Sequence, residues 1–314
     1  MQVESGARWR VSRAARVAVA AAIIGGAGYI LYRELSGLDK DAFMASLRGT
    51  PPWRIGGALL LTTQSFVAVA FYDVMAARLV APRRISVLRA FFAGIVGNAI
   101  ANTLGFHAIT GSVVRYRIFA SVGVKMADVA KIISLQGASM AAGFVCVTSL
   151  SLLLSPAAHG GAAGRLAGAA LLAGLAGILL WLYRSKRQLT IGRWTLPFPD
   201  AKNAAQQMAI GTVEMCAAIG ALHVLLPPDL APNFFDLVLL YMGALLLGIV
   251  SGAPGGAGVF EATLIVSFPA DARPAVLAAL LLYRLIYNIL PFCLSGLALL
   301  VFERRQARPQ FDRG

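Results

Sequence analysis

Ser251-Gly252-Ala253-Pro254-Gly255-Gly256-Ala257-Gly258-Val259-Phe260-Glu261 interrupts an otherwise apolar run over residues 234–268. Proline removes a backbone donor and glycine weakens the helical ladder, so this run cannot be one straight helix. A second run, 88–122, is broken in the same manner at Leu104-Gly105-Phe106-His107-Ala108-Ile109-Thr110-Gly111. The residues read as helix breaks are Gly105, Gly111, Pro254, Gly255, Gly256 and Gly258. Around the two broken runs lie six unbroken ones, near residues 14–35, 53–80, 126–154, 164–183, 204–226 and 274–302. Each is long enough to cross the hydrocarbon core of a bilayer, which takes about 20 apolar residues as a helix.

The chain has 314 residues, of which 58% are hydrophobic and 13% charged, against about 25% charged in a soluble domain. Lipid is the solvent that suits this composition. The apolar stretch after Arg8, Arg10, Arg13 and Arg16 runs on without a small-residue cleavage site after a short core, and reads as an uncleaved first span. The net charge is +14, but Arg and Lys sit in connecting segments and form no groove with interleaved aromatics, which excludes nucleic acid as a partner. Cys146, Cys216 and Cys293 lie within apolar runs, without a CxxC pair or a His at ligand spacing. Neither a disulfide framework nor a metal site follows. No GxSxG, HExxH or Walker pattern occurs, and Pro254-Gly255-Gly256-Ala257-Gly258 lacks the Lys and Ser or Thr of a phosphate loop. No cofactor and no enzymatic activity are expected.

Basic residues orient the spans. Arg8 to Arg16, then Arg78, Arg83, Arg84 and Arg89, then Arg184, Lys186, Arg187 and Arg193, and finally Arg304, Arg305 and Arg308 mark cytoplasmic ends. Both termini are placed in the cytoplasm. Basic segments flank the first broken run on both sides, since Arg115, Arg117 and Lys125 follow the break, so a full crossing there violates the positive-inside rule. The run reads as a hairpin that enters and returns on the cytoplasmic side, with a long arm of about 17 residues. The second broken run is flanked by segments poor in basic residues and reads as a hairpin from the outer side. The order is span, span, hairpin, span, repeated upside down. The expected fold is therefore all-α: a single transmembrane domain over 1–314, with about six full spans and two opposed re-entrant hairpins. The inverted half-repeats cover about 14–155 and 164–302. Similarity between the halves is limited to Gly94-Ile95-Val96-Gly97 against Gly248-Ile249-Val250-Ser251. In such architectures the broken helices meet near the midplane and line the substrate site.

Several charges lie where lipid is costly. Asp73 sits in the second span, Glu214 in the fifth, Arg115 and Glu261 follow the two breaks, Arg284 lies in the last span, and Lys131 starts its symmetric counterpart. Five such charges facing lipid would cost on the order of 12–17 kcal/mol, so they should face water or each other. For Asp73 and Lys131, packing ion pairs or snorkelling compete equally with a functional role. For Glu214, Glu261 and Arg284 a functional cavity is the favoured reading. His107 is read as a hydrogen-bonding residue at the hairpin tip rather than a proton carrier. Asn98, Asn102 and Asn288 suit either interhelical bonding or substrate contact, and Tyr283 and Tyr287 suit packing first.

Arg115-Tyr116 after a Gly-containing break, Pro254-Gly255-Gly256-Ala257-Gly258-Val259-Phe260-Glu261, Tyr283-Arg284 and Pro291 together resemble the membrane domain of the lysylphosphatidylglycerol synthase/flippase family, the multiple peptide resistance factor type, with its stand-alone relatives. The resemblance covers nearly the whole chain. It implies a protein of a bacterial-type cytoplasmic (inner) membrane that moves aminoacylated phosphatidylglycerol to the outer leaflet, which lowers surface negative charge and repels cationic antimicrobial peptides. By motif, Asp73, Arg115, Glu214 and Glu261 resemble that family's functional charged positions, and Arg284 is a further candidate. Bifunctional members continue into more spans and a cytoplasmic aminoacyl transferase domain. Nothing here follows Gly314, so no synthase activity is expected from this polypeptide. A separate aminoacyl-lipid synthase and a homo-oligomer are partners compatible with the reading.

A lysyl lipid head carries ammonium groups and one phosphate, which call for carboxylates and a guanidinium respectively. On the resemblance, Asp73, Glu214 and Glu261 would take the amines, and Arg115 or Arg284 the phosphate. Two alternatives stay open: a carrier for a small soluble ion or metabolite on the same architecture, and a non-transporting membrane subunit of a split lipid-modifying enzyme.

Overall fold

The structure, a computed structural model, describes residues 40–105, 107–156, 161–184, 188–191, 194–197, 199–251, 254–256 and 258–307. The expected first span, 14–35, and the basic segment before it lie outside the described residues, as do Phe106 and Ala257 of the two breaks and Lys186, Arg187 and Arg193 of the basic segment.

Among the described residues, α1 (Lys40–Gly49) and α2 (Pro52–Val80) are followed by α3 (Val87–Leu104), α4 (His107–Ala120), α5 (Met126–Leu154) and α6 (Gly161–Arg184). After two short strands, β1 (Gln188–Ile191) and β2 (Trp194–Pro197), come α7 (Ala201–Leu225), α8 (Phe234–Val250), the 3-10 turn Pro254–Gly256 and α9 (Val259–Val266). The last helical stretch is α10 (Arg273–Arg284), a π-helical turn (Leu285–Ile289) and α11 (Leu290–Ala307). Among the described residues, six helical stretches are long and apolar enough to cross a membrane: α2, α3, α5, α6, α7 and Arg273–Gln306. Five of these fall on expected spans. The sixth, α3, is the long arm of the first broken run, and its 18 residues rise to about 27 Å.

Local chemistry sets the ends. Pro52 starts α2 at a position whose N–H would have no helical partner. The Ser86 hydroxyl caps α3 by accepting from the Arg89 N–H at 3.3 Å, and the Asp200 carboxylate caps α7 through the Asn203 N–H at 2.8 Å. Gly105 ends α3 with φ +78°, a conformation that glycine adopts without a Cβ penalty, and its N–H donates to the Ala101 carbonyl at 2.9 Å. In the final stretch Pro291 has no N–H for the Tyr287 carbonyl, and the ladder shifts register so that the Leu290 N–H reaches the Leu285 carbonyl.

Four features depart from the sequence reading. Gly111 is no break: it lies within α4, one turn before Arg115, whose Nη1 donates to its carbonyl at 3.3 Å. A Cβ at Gly111 would sit 2.8 Å from that nitrogen, so the glycine makes room for a side chain rather than for a turn. Helix α1 and the antiparallel β1–β2 ribbon, with Ile191 opposite Trp194, occupy segments read as plain connections. The last span carries a π turn.

The helices pack by close backbone approach, as expected where apolar burial gives no preference over lipid. A Cβ at Gly143 on α5 would lie 2.5 Å from the carbonyl carbon of Gly211 on α7. One apolar cluster joins α2, α7, α8, α9 and α10, and a second joins the C-terminal half of α2 to α3, α4, the start of α5, and α11. Helix α6 is peripheral: Gly168 is its one buried residue, whereas ten residues of α3 are buried. The two breaks meet: a Cβ on Gly255, itself at φ +60°, would lie 2.9 Å from the Thr103 carbonyl oxygen and 3.2 Å from that of Asn102. The Thr103 hydroxyl also donates to the Asn288 carbonyl at 3.2 Å, tying the first break to the π turn.

Candidate functional site

A cavity of about 400 Å³ opens beside this junction. Asn98, Asn102 and Gly105 of the first broken run line it, with Gly248, Gly255 and Gly256 of the second. Glu214 and Arg284 bring charge to it, and Tyr241, Tyr283 and Tyr287 form an aromatic wall. The rings of Tyr283 and Tyr287 stack with centroids 5.1 Å apart, as side chains four apart on a helix can. The hydroxyls of Tyr241 and Tyr283 share a hydrogen bond of 2.9 Å.

The five sequence-chosen charges are all buried, but they do not gather at one point. Arg115 donates to both carboxylate oxygens of Asp73, from Nε to Oδ1 at 2.7 Å and from Nη2 to Oδ2 at 2.9 Å. This pair links α4 to α2, and it fits because α3 presents glycines there. A Cβ at Gly97 would lie 2.7 Å from Arg115 Nη1, and one at Gly94 would lie 3.0 Å from Asp73 Oδ2. Arg284 is bidentate to Glu261 in the same way, from Nε to Oε1 and from Nη2 to Oε2, the latter at 2.8 Å. Glu261 Oε2 also accepts the Gly258 N–H at 2.8 Å, which holds the acid at the start of α9. Bidentate geometry and added backbone bonds are what allow ion pairs to persist away from water.

Glu214 stands apart. Its Oε1 accepts from the Ser65 hydroxyl at 3.4 Å, and Ser65 shares a 2.8 Å hydrogen bond with the Tyr287 hydroxyl. Its Oε2 is buried without a hydrogen-bond partner among the described residues. Lys131 pairs with Asp128 one turn earlier at 3.5 Å, and both are partly exposed. Of the break residues, Gly105, Gly255 and Gly256 line the cavity, while Gly258 carries φ +81° at the N-terminus of α9. The side chains of His107 and Pro254 lie outside the described residues.

Sequence reasoning passed over Ser65, Tyr72 and Tyr241. Tyr241 is a polar tip in an apolar helix, and Ser65 and Tyr72 recur two turns apart on the buried face of α2 with Asp73 beside them. That helical spacing of polar groups within a span was the available signal.

A bundle of long apolar helices folded around buried, mutually paired charges defines a multi-pass membrane protein. Residues 14–295 match the family described as lysylphosphatidylglycerol synthase TM region, and the chain belongs to that family. It is 29% identical over 289 residues to the uncharacterized protein slr0712 of Synechocystis sp., covering 88% of this chain and 87% of that relative. It is 26% identical over 256 residues to the inner membrane protein YbhN of Escherichia coli, covering 78% of this chain and 79% of YbhN.

Proposed function

We propose that this chain translocates an aminoacylated phosphatidylglycerol, such as lysylphosphatidylglycerol, or a related phospholipid between the leaflets of a bacterial cytoplasmic membrane. The observation that carries the reading is the cavity at the meeting of the two helix breaks, with a buried acid facing it and an aromatic wall around it. A volume of about 400 Å³ suits a polar head group and leaves acyl chains in the surrounding lipid. On this reading the two broken runs are re-entrant hairpins of an inverted repeat, and their relative movement opens the cavity to one side and then the other. Glu214 takes an ammonium group. Arg284, held by Glu261 at the cavity wall, faces the phosphate, and the Asp73–Arg115 pair fixes the first hairpin against α2. Both termini lie on the cytoplasmic side.

The same cavity volume also admits a small soluble cation, which is the second reading. Vesicles reconstituted with the chain and containing labelled lysylphosphatidylglycerol or labelled phosphatidylglycerol separate the two. Lipid translocation requires protein-dependent appearance of the lysyl lipid in the outer leaflet, lost in Glu214→Gln at unchanged protein yield. Equal rates with and without protein refute it.

A further inference from the structure

Four of the five buried charges neutralise one another, Asp73 with Arg115 and Glu261 with Arg284. Glu214 has no cation in ion-pair range among the described residues, and one of its carboxyl oxygens is buried without a partner. The groups that face it come from every element packed around it. They are Ser65 and Tyr72 from α2, Tyr241 from α8, and Tyr283 and Tyr287 from the last helical stretch. Cys216 on its own helix is also near, with Cys146 of α5 beside that thiol. Across the cavity stand the amides of Asn98 and Asn102 on α3, and Arg284, whose guanidinium is bonded to Glu261. Hydroxyls, thiols and amides can solvate a neutral acid, but none of them balances a negative charge. An ionised carboxylate in such a site is strongly disfavoured unless a cation arrives with it.

We propose that Glu214 is an exchange site at which a proton and a cationic group alternate, so that an ammonium group enters the cavity only as the Glu214 carboxyl releases its proton. The step balances: the O–H bond of the acid breaks, the proton leaves to water, and the carboxylate pairs with the incoming ammonium. One positive charge enters as one departs, and the charge of the buried site stays constant. The faces of Tyr283 and Tyr287 add attraction for the ammonium group and none for phosphate. The exchange makes cargo movement draw on a proton gradient, and it rests on the reading of this cavity as the head-group site.

The test uses the full chain in nanodiscs of neutral lipid, in weakly buffered solution with a pH indicator. It is run at a pH where the amines of lysylphosphatidylglycerol stay charged. The lysyl lipid should release about one proton per molecule bound, and its Kd should rise about tenfold for each unit by which the pH falls, because linkage is reciprocal. Phosphatidylglycerol should release none, and Glu214→Gln, monodisperse by size exclusion, should abolish the release. Binding of the lysyl lipid without proton release, at a pH-independent Kd, overturns the exchange and leaves the lipid reading standing. Absence of binding overturns both. Undiminished release from folded Glu214→Gln overturns the assignment to this residue.

Discussion

Replacing Arg115 by Met removes the positive member of a pair whose partner, Asp73, is fully buried. The arginine makes two bonds of 2.7 and 2.9 Å to that carboxylate and one of 3.3 Å to the Gly111 carbonyl. No other cation reaches Asp73 among the described residues, so the acid is left uncompensated. Breaking a buried pair on one side costs about 3–5 kcal/mol. Removing both partners in Asp73→Leu with Arg115→Met takes away the stranded charge as well, and such apolar replacements are neutral or better in many proteins. The double variant should therefore recover most of the loss. Gly94 and Gly97 limit the recovery: a Cβ at Gly94 would already lie 3.0 Å from Asp73 Oδ2, so a branched leucine at position 73 presses on the backbone of α3. The assay is reversible unfolding in mixed micelles, followed by tryptophan fluorescence for the parent, both single variants and the double variant. A single variant Arg115→Met as stable as the parent, or a double variant weaker than either single, refutes the reasoning.

Two further expectations concern backbone contacts. Gly143→Ala places a methyl group 2.5 Å from the Gly211 carbonyl carbon and should cost about 1–3 kcal/mol by overpacking, read in the same unfolding assay, with Gly137→Ala, which meets nothing within 4 Å, as the neutral control. Gly255→Ala combines a φ of +60° with a 2.9 Å approach to the Thr103 carbonyl oxygen; backbone strain alone is worth about 1–3 kcal/mol, and a variant as stable as the parent would show that the two breaks do not touch.

What the sequence disclosed depended on how local each cause was. Length and apolarity delimit 53–80 and 126–154 to within a residue of α2 and α5, because a span needs only its own composition. Gly105 and Gly255 were legible as breaks because their positive φ is a property of one residue. Gly111 was misread, since its reason for being glycine is the arginine one turn later and the helix does not bend there. The charged residues were singled out individually, but their partners were not. Asp73 with Arg115 spans 42 positions, and no periodicity within either segment points to the other. The idea of a shared polar centre thus merged two closed pairs with one open acid. Tyr241 joins the cavity only through contacts between helices, which composition does not encode, whereas Ser65 was signalled by the spacing of polar groups along α2.

The abutment of Gly255 on the main-chain oxygens of Asn102 and Thr103 has a mechanical corollary. Main chain against main chain leaves no rotamer to absorb a push, so the first and second interrupted segments mesh like gear teeth without backlash. A side chain added at that seam has nowhere to turn, and one segment can give way only by shifting the main chain of the other.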